Sequence, residues 1–123
     1  MGTSMQLVIA IIKPLKLDDV LEALAVIGVQ DVTVTETKDY GQRGQTEIYR
    51  GLQYTPKFLA MLRIEAAVKT DQVATVTKSI IRAAKTGQPN DGKIFVLDLE
   101  HESHMRVGKA DEMIDDITPR RAA

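Results

Sequence analysis

The sequence predicts an α+β fold, a ferredoxin-like βαββαβ sandwich. Short apolar runs alternate with segments of helical periodicity, and the order strand–helix–strand occurs twice. The two halves have roughly equal length. Such a pattern folds as a four-stranded antiparallel sheet with both helices on one face.

Each element has its own signal. Leu7-Val-Ile-Ala-Ile-Ile12 is a continuous apolar run, as expected of a strand buried on both faces. Lys13-Pro14 ends it. Leu17, Val20, Leu21, Leu24 and Ile27 then recur at helical spacing. Asp18 and Asp19 fall in the first turn, where the helix dipole favours acids, and Gly28 is placed to stop the helix. A strand follows at 32–37. After a long polar stretch, a strand at 62–68 alternates apolar residues with Arg63 and Glu65. Thr70-Asp71 can cap a second helix, whose core stripe is Val73, Val76, Ile80 and Ala84. Gly87 and Pro89 stop it, and 93–99 is the last strand. The tail from Glu100 is polar, with a helical candidate around 110–117.

Composition bounds the function. A chain of 123 residues is about one domain, able to fold without staples. It contains no cysteine, which excludes disulfides, thiolate zinc sites and cysteine nucleophiles. No apolar run approaches the ~18 residues that span a membrane, and no signal peptide precedes the first strand. A cytoplasmic location is therefore expected. Met1-Gly-Thr-Ser reads as an expression scar before a native start at Met5. The net charge of −1 argues against a broad nucleic-acid footprint. Aromatic residues make up 4%, so the core must be aliphatic. The first strand is apolar on both faces, yet the helices cover one. Other subunits are the simplest cover for the second.

Two segments stand out. Residues 39–57 hold all three tyrosines and three of the eight glycines. A connection this long is either a functional loop or a hairpin extension. Thr86-Gly-Gln-Pro-Asn-Asp-Gly-Lys93 lies between a helix end and a strand. Asn90, Asp91 and Gly92 can form an anion nest, with Lys93 adding a charge for phosphate. The same residues also read as a helix stop with Lys93 on a solvated edge. His101 and His104 do not make a metal site, since two histidines are an incomplete ligand set. No nucleophile, base or carboxylate pair comes together, so no enzyme is expected. A small phosphohydrolase of acylphosphatase type and an RNA-binding module share the same element order. The second would carry aromatic residues on its sheet for base stacking, and the strands here contain only Phe95.

Three motifs in register, Ile11-Ile-Lys-Pro-Leu-Lys-Leu-Asp-Asp-Val20, Tyr49-Arg-Gly-Leu-Gln-Tyr54 and Thr86-Gly-Gln-Pro-Asn-Asp-Gly-Lys-Ile-Phe-Val96, closely resemble the PII signal-transduction proteins. The resemblance runs over 5–108. It leaves 1–4 as the scar and 109–123 as a C-terminal tail. It implies a cytoplasmic homotrimer of ferredoxin-like subunits that binds ATP, ADP or AMP in intersubunit clefts. It also implies a partner protein, such as a membrane transporter or an enzyme, engaged by the long loop, with no nucleic acid and no membrane insertion. Residues 39–57 resemble the family's T-loop, with Tyr49 and Arg50 in its partner-facing motif. Tyr54 matches the tyrosine that is uridylylated in some members. Residues 86–93 resemble the phosphate-binding B-loop, in which Asn90, Asp91, Gly92 and Lys93 are the candidate contacts. Thr33, Gly41 and the backbone at Ala67 match positions around the adenosine and the T-loop base. Arg106 matches a basic residue that reaches phosphates across the subunit boundary.

The departures are specific. Leu52-Gln53 replaces Ala-Glu, Asn90 replaces glycine, and His104 replaces a second phosphate-binding arginine. The T-loop base is one residue shorter, so Gln42 is displaced from the glutamine that helps chelate Mg2+ and 2-oxoglutarate. Met61 stands where the family has a lysine that pairs with the 2-oxoglutarate carboxylate. A thioether carries no charge and donates no hydrogen bond. The expected outcome is a divergent member with impaired 2-oxoglutarate sensing. Its alternative role is carbon-metabolism sensing through ADP or AMP and bicarbonate.

Overall fold

The computed structural model describes residues 4–40, 47–49, 52–54 and 58–105. Strand β1 spans Met5–Ile12, and a 3₁₀ turn at Pro14–Lys16 leads into helix α1 at Leu17–Val26. Strands β2 (Thr33–Tyr40), β3 (Glu47–Tyr49), β4 (Leu52–Tyr54) and β5 (Phe58–Lys69) follow. A second 3₁₀ turn at Thr70–Gln72 leads into helix α2 (Val73–Ala84), and β6 (Gly92–Leu99) closes the order. The main sheet has the order β2-β5-β1-β6, with every pairing antiparallel. This is the α+β architecture that the two strand–helix–strand halves predict.

β1 is central, and its pleat sorts the two faces. Val8, Ala10 and Ile12 point to the helices, where they join Val20 and Leu24 of α1 and Val76, Ile80 and Ala84 of α2. Leu62, Ile64, Ala66 and Val68 of β5 complete this core. The other face carries a second cluster, Ile9, Ile11 and Met61, flanked by Leu7 and Leu59. No helix covers it among the described residues. Phe95 and Leu97, paired with Ile9 and Leu7, continue this apolar face onto β6 and are about half exposed.

Four local expectations are corrected. β2 and β5 run past 32–37 and 62–68, because antiparallel pairing continues to Tyr40 opposite Phe58. Their rings meet with centroids 5.4 Å apart, which closes the ladder with an aromatic cross-strand pair. The stretch 39–57 is also not loop throughout: β3 and β4 pair as a short hairpin within it. Thr70 and Asp71 do not cap α2. Thr70 instead bonds back to Ser4, its amide and hydroxyl both donating to that carbonyl at 2.9 and 3.2 Å. The helix begins three residues later, and it ends at Ala84 rather than Gly87, since Lys85 is already extended. The helical candidate at 110–117 lies outside the described residues. Among those described, no helix is long and apolar enough to cross a membrane.

The core ranks single substitutions. Leu24 has no exposed surface, whereas Leu15 is 94% exposed. Leu24→Ala should cost about 2–5 kcal/mol of unfolding free energy. Leu15→Ala should stay within about 0.5 kcal/mol. Urea denaturation followed by circular dichroism checks both, and equal midpoints for the two variants would contradict this packing.

Candidate functional site

The segment between α2 and β6 is built by close approach. Gly87, Asn90 and Gly92 have φ of 81°, 66° and 129°. Left-handed backbone is costly for residues with a side chain, and asparagine is among the few that tolerate it. At Gly92 a side chain is excluded outright, since a Cβ would lie 1.9 Å from the Ile11 carbonyl oxygen. Gly92 faces Ile12 in the β1–β6 register, so the segment is held against the end of the central strand.

Asp91 closes the segment on itself. One carboxylate oxygen accepts the amides of Thr86 and Gly87, each at 3.0 Å. The other accepts the Thr86 hydroxyl. The Gln88 amide in turn donates to that hydroxyl oxygen at 3.1 Å. Lys13 Nζ, from the end of β1, lies 3.3 Å from Asp91 Oδ1 and 3.4 Å from Thr86 Oγ1. The Thr86 hydroxyl and amide, then the Gly87 amide and Lys13, hold the Asp91 carboxyl far below the usual carboxylate range. Sequence reading singled out Asp91 but not Lys13 or Thr86. The available signal was Thr-Gly followed by Asp, a pattern in which a short side chain satisfies nearby backbone amides.

A cavity of about 390 Å³ opens beside this segment. Ile80, Ile81 and Ala84 of α2 line it with Ile12, Ile94, Asp91, Gly92 and Lys93. Lys93 Nζ sits 5.9 Å from the Phe95 ring centroid. A second recess of about 580 Å³ includes Thr33 and Ala67 together with Glu65, Glu102 and His104. The two recesses have no lining residue in common. They lie at different positions along β1, since Gly92 pairs with Ile12 and Ala67 with Leu7. Five residues of strand separate those positions by roughly 17 Å. One chain therefore brings together Asn90, Asp91, Gly92 and Lys93, and separately Thr33 and Ala67, but does not unite the groups.

His104 Nε2 is 3.4 Å from Glu102 Oε2, and His101 Nε2 is 2.6 Å from Ser103 Oγ, so the histidines have separate partners. Tyr49 and Tyr54 fall on β3 and β4, in register with Leu52 and Glu47. Gly41, Gln42, Arg50 and Arg106 lie outside the described residues.

The depressed Asp91 pKa has a defined sign. The bonds to the carboxylate contribute stability that is complete above the unfolded-state value of about 4 and is lost progressively as pH falls from there through the lower folded value. The Asp91 carboxyl carbon resonance should therefore keep its ionised shift from pH 7 down to about 3. A titration midpoint near 4 would show that the clamp does not persist in solution.

The model of the family "Nitrogen regulatory protein P-II" matches residues 5–109. Nitrogen regulatory protein P-II of Rhizobium etli is 53% identical over 108 residues, covering 87% of this chain and 96% of the relative. Nitrogen regulatory protein GlnK of Escherichia coli is 49% identical over 109 residues, covering 88% and 97%. The crystal structure of Arabidopsis thaliana PII bound to citrate superposes with a TM-score of 0.70 at 32% identity, covering 88% of this chain and 86% of that one. With matches that reach from the first strand beyond the last, the chain belongs to the nitrogen regulatory P-II family, and is a signalling protein rather than an enzyme.

Proposed function

We propose that this protein is a homotrimeric sensor of adenine nucleotides that regulates a partner protein through residues 39–57. The observation that carries the reading is a pair of recesses beside a sheet face that no helix covers among the described residues and whose β6 part, Phe95 and Leu97, is about half exposed. Asp91, Gly92 and Lys93 border one recess; Thr33 and Ala67 border the other. Packing copies through the Ile9–Ile11–Met61 face would set one chain's first recess against its neighbour's second. Two further details favour such packing. Thr37 Oγ1 and Arg63 Nε are buried without a hydrogen-bond partner among the described residues. Arg63 Nε lies 3.1 Å from Glu65 Oε1, but this ion pair lacks hydrogen-bond alignment. Thr37 and Arg63 share the face opposite the helices, paired with Met61 and Ile11. Buried polar groups are costly without partners, and a neighbouring subunit supplies them.

Gly41, Gln42 and Arg106 complete the proposed nucleotide site from the T-loop base and the C-terminal segment. Tyr49, Arg50 and Tyr54 are the proposed contacts to a partner, a membrane transporter or an enzyme in the cytoplasm. His104 already faces Glu102, so it adds little charge for a triphosphate, and discrimination of ATP from ADP should be weak.

Light scattering should give a trimer mass at micromolar concentration. Lys93→Ala removes a charge-assisted contact and should weaken ADP binding by about 1.5–3 kcal/mol. Mixed with a Thr33 or Ala67 variant that blocks the second recess, it should recover part of its binding. That recovery requires two subunits to share one site. A monomeric mass, or unchanged ADP affinity in Lys93→Ala, would refute the reading.

A second reading concerns the effector. Met61 is 5% exposed and packs with Ile9 and Ile11. A dicarboxylate brought here would lose its hydration with no cation in return. The relative from Arabidopsis thaliana was crystallised with citrate, which supports an anionic effector in the family but supplies no lysine here. 2-Oxoglutarate should bind weakly even with MgATP, and a smaller monoanion such as bicarbonate is the preferred effector. Titrating both into nucleotide-saturated protein decides the matter. A micromolar dissociation constant for 2-oxoglutarate would return the protein to ordinary nitrogen sensing.

A further inference from the structure

We propose that Lys13, Thr86 and Asp91 form a latch that positions the phosphate-facing segment, and that Asp91 is an internal anion and not a nucleotide ligand. The functional half of this inference rests on the nucleotide reading above; the latch itself rests on geometry.

The segment must pass from a helix at Ala84 to a strand that starts at Gly92. The Lys85 amide still donates to the Ile81 carbonyl of the helix, but the next two, Thr86 and Gly87, would otherwise be left to solvent or to a bound anion. They already have one, because both donate to Asp91 Oδ2 at 3.0 Å. Thr86 occupies the other oxygen through its hydroxyl and accepts from Gln88 on the same atom. The carboxylate is thus committed to its own segment.

A carboxylate beside a phosphate repels it, and Lys13 removes that penalty. Its ammonium lies 3.3 Å from Asp91 Oδ1, and its backbone directly follows Ile12, the register partner of Gly92. The latch therefore does two things together. It ties the segment to the central strand, and it neutralises the charge that holds the segment's shape. Both lysine and carboxylate side chains are about a quarter exposed, so the pair is partly shielded from solvent screening. Lys13 acts on phosphate through Asp91, as a positioning residue.

The sign of one substitution separates this from simple repulsion. ADP is titrated calorimetrically into the wild-type protein, Lys13→Met, Lys13→Arg, Asp91→Asn and the Lys13→Met/Asp91→Asn double variant. Amide spectra are recorded for each. Lys13→Met should weaken ADP binding roughly tenfold, the size of one charge-assisted contact, and Lys13→Arg should restore most of it. Asp91→Asn should also weaken binding although it removes a negative charge, and should shift the Thr86 and Gly87 amide resonances. The double variant should be no weaker than the poorer single variant, because both residues act through one contact. Tighter or unchanged binding in Asp91→Asn would make Asp91 a mere repelling charge and overturn the proposal. Additive losses in the double variant would make Lys13 an independent phosphate ligand, with the same result. If the wild-type protein binds no adenine nucleotide, the positioning role falls with the nucleotide reading. The latch then stands or falls on the two amide resonances, and unmoved resonances in Asp91→Asn would remove it.

Discussion

The fold depends on one strand that is apolar on both sides. β1 places Val8, Ala10 and Ile12 under the helices and Ile9 and Ile11 on the opposite face. Burial of apolar surface is the dominant favourable term in folding, and a central strand with two such faces demands two covers. α1 and α2 supply the first. The second face, continued by Leu59, Met61, Phe95 and Leu97, remains apolar in the single chain. The element that holds the core together thus also builds a second apolar face that no helix covers among the described residues.

The same strand positions the segment between α2 and β6. The Ile11 carbonyl oxygen excludes any side chain at Gly92, and Lys13, one residue past the strand end, reaches Asp91. Fold and site therefore share a boundary only a few residues long. The arrangement suits a sensor. Ligands bias a conformational equilibrium only through differential contacts with its states, and a site anchored to the central strand couples such contacts to the sheet. The long connection leaves that sheet between β2 and β5, the strands joined by the Tyr40–Phe58 ring pair.

Much of this was legible in the residues. Helical spacing located both helices to within a few positions, and alternation located the sheet strands. The motif around Asn90–Lys93 located the segment that the structure shows built by positive-φ residues. The misses have local causes. Thr70 makes no cap and instead donates its amide and hydroxyl to the Ser4 carbonyl, a partner far away in sequence. The extension of β2 and β5 to Tyr40 and Phe58 depends on ladder pairing across the sheet, to which a count of alternating apolar residues is blind. Lys13 reads as a strand terminator because its partner Asp91 is far away in sequence.

By itself the sequence determined which residues are apolar, at what period, and in what order. Those properties are sufficient for the α+β class, the central place of the first strand and the absence of cysteine chemistry. Tertiary structure decided which distant groups meet. It set Lys13 against Asp91 and Thr86, placed Thr33 and Ala67 in a recess apart from Lys93, and buried Met61 among isoleucines. The physical reason is range. Periodicity and turn preference act over a few residues, whereas an ion pair or a shared recess depends on strand register, which is set only when the whole sheet has paired.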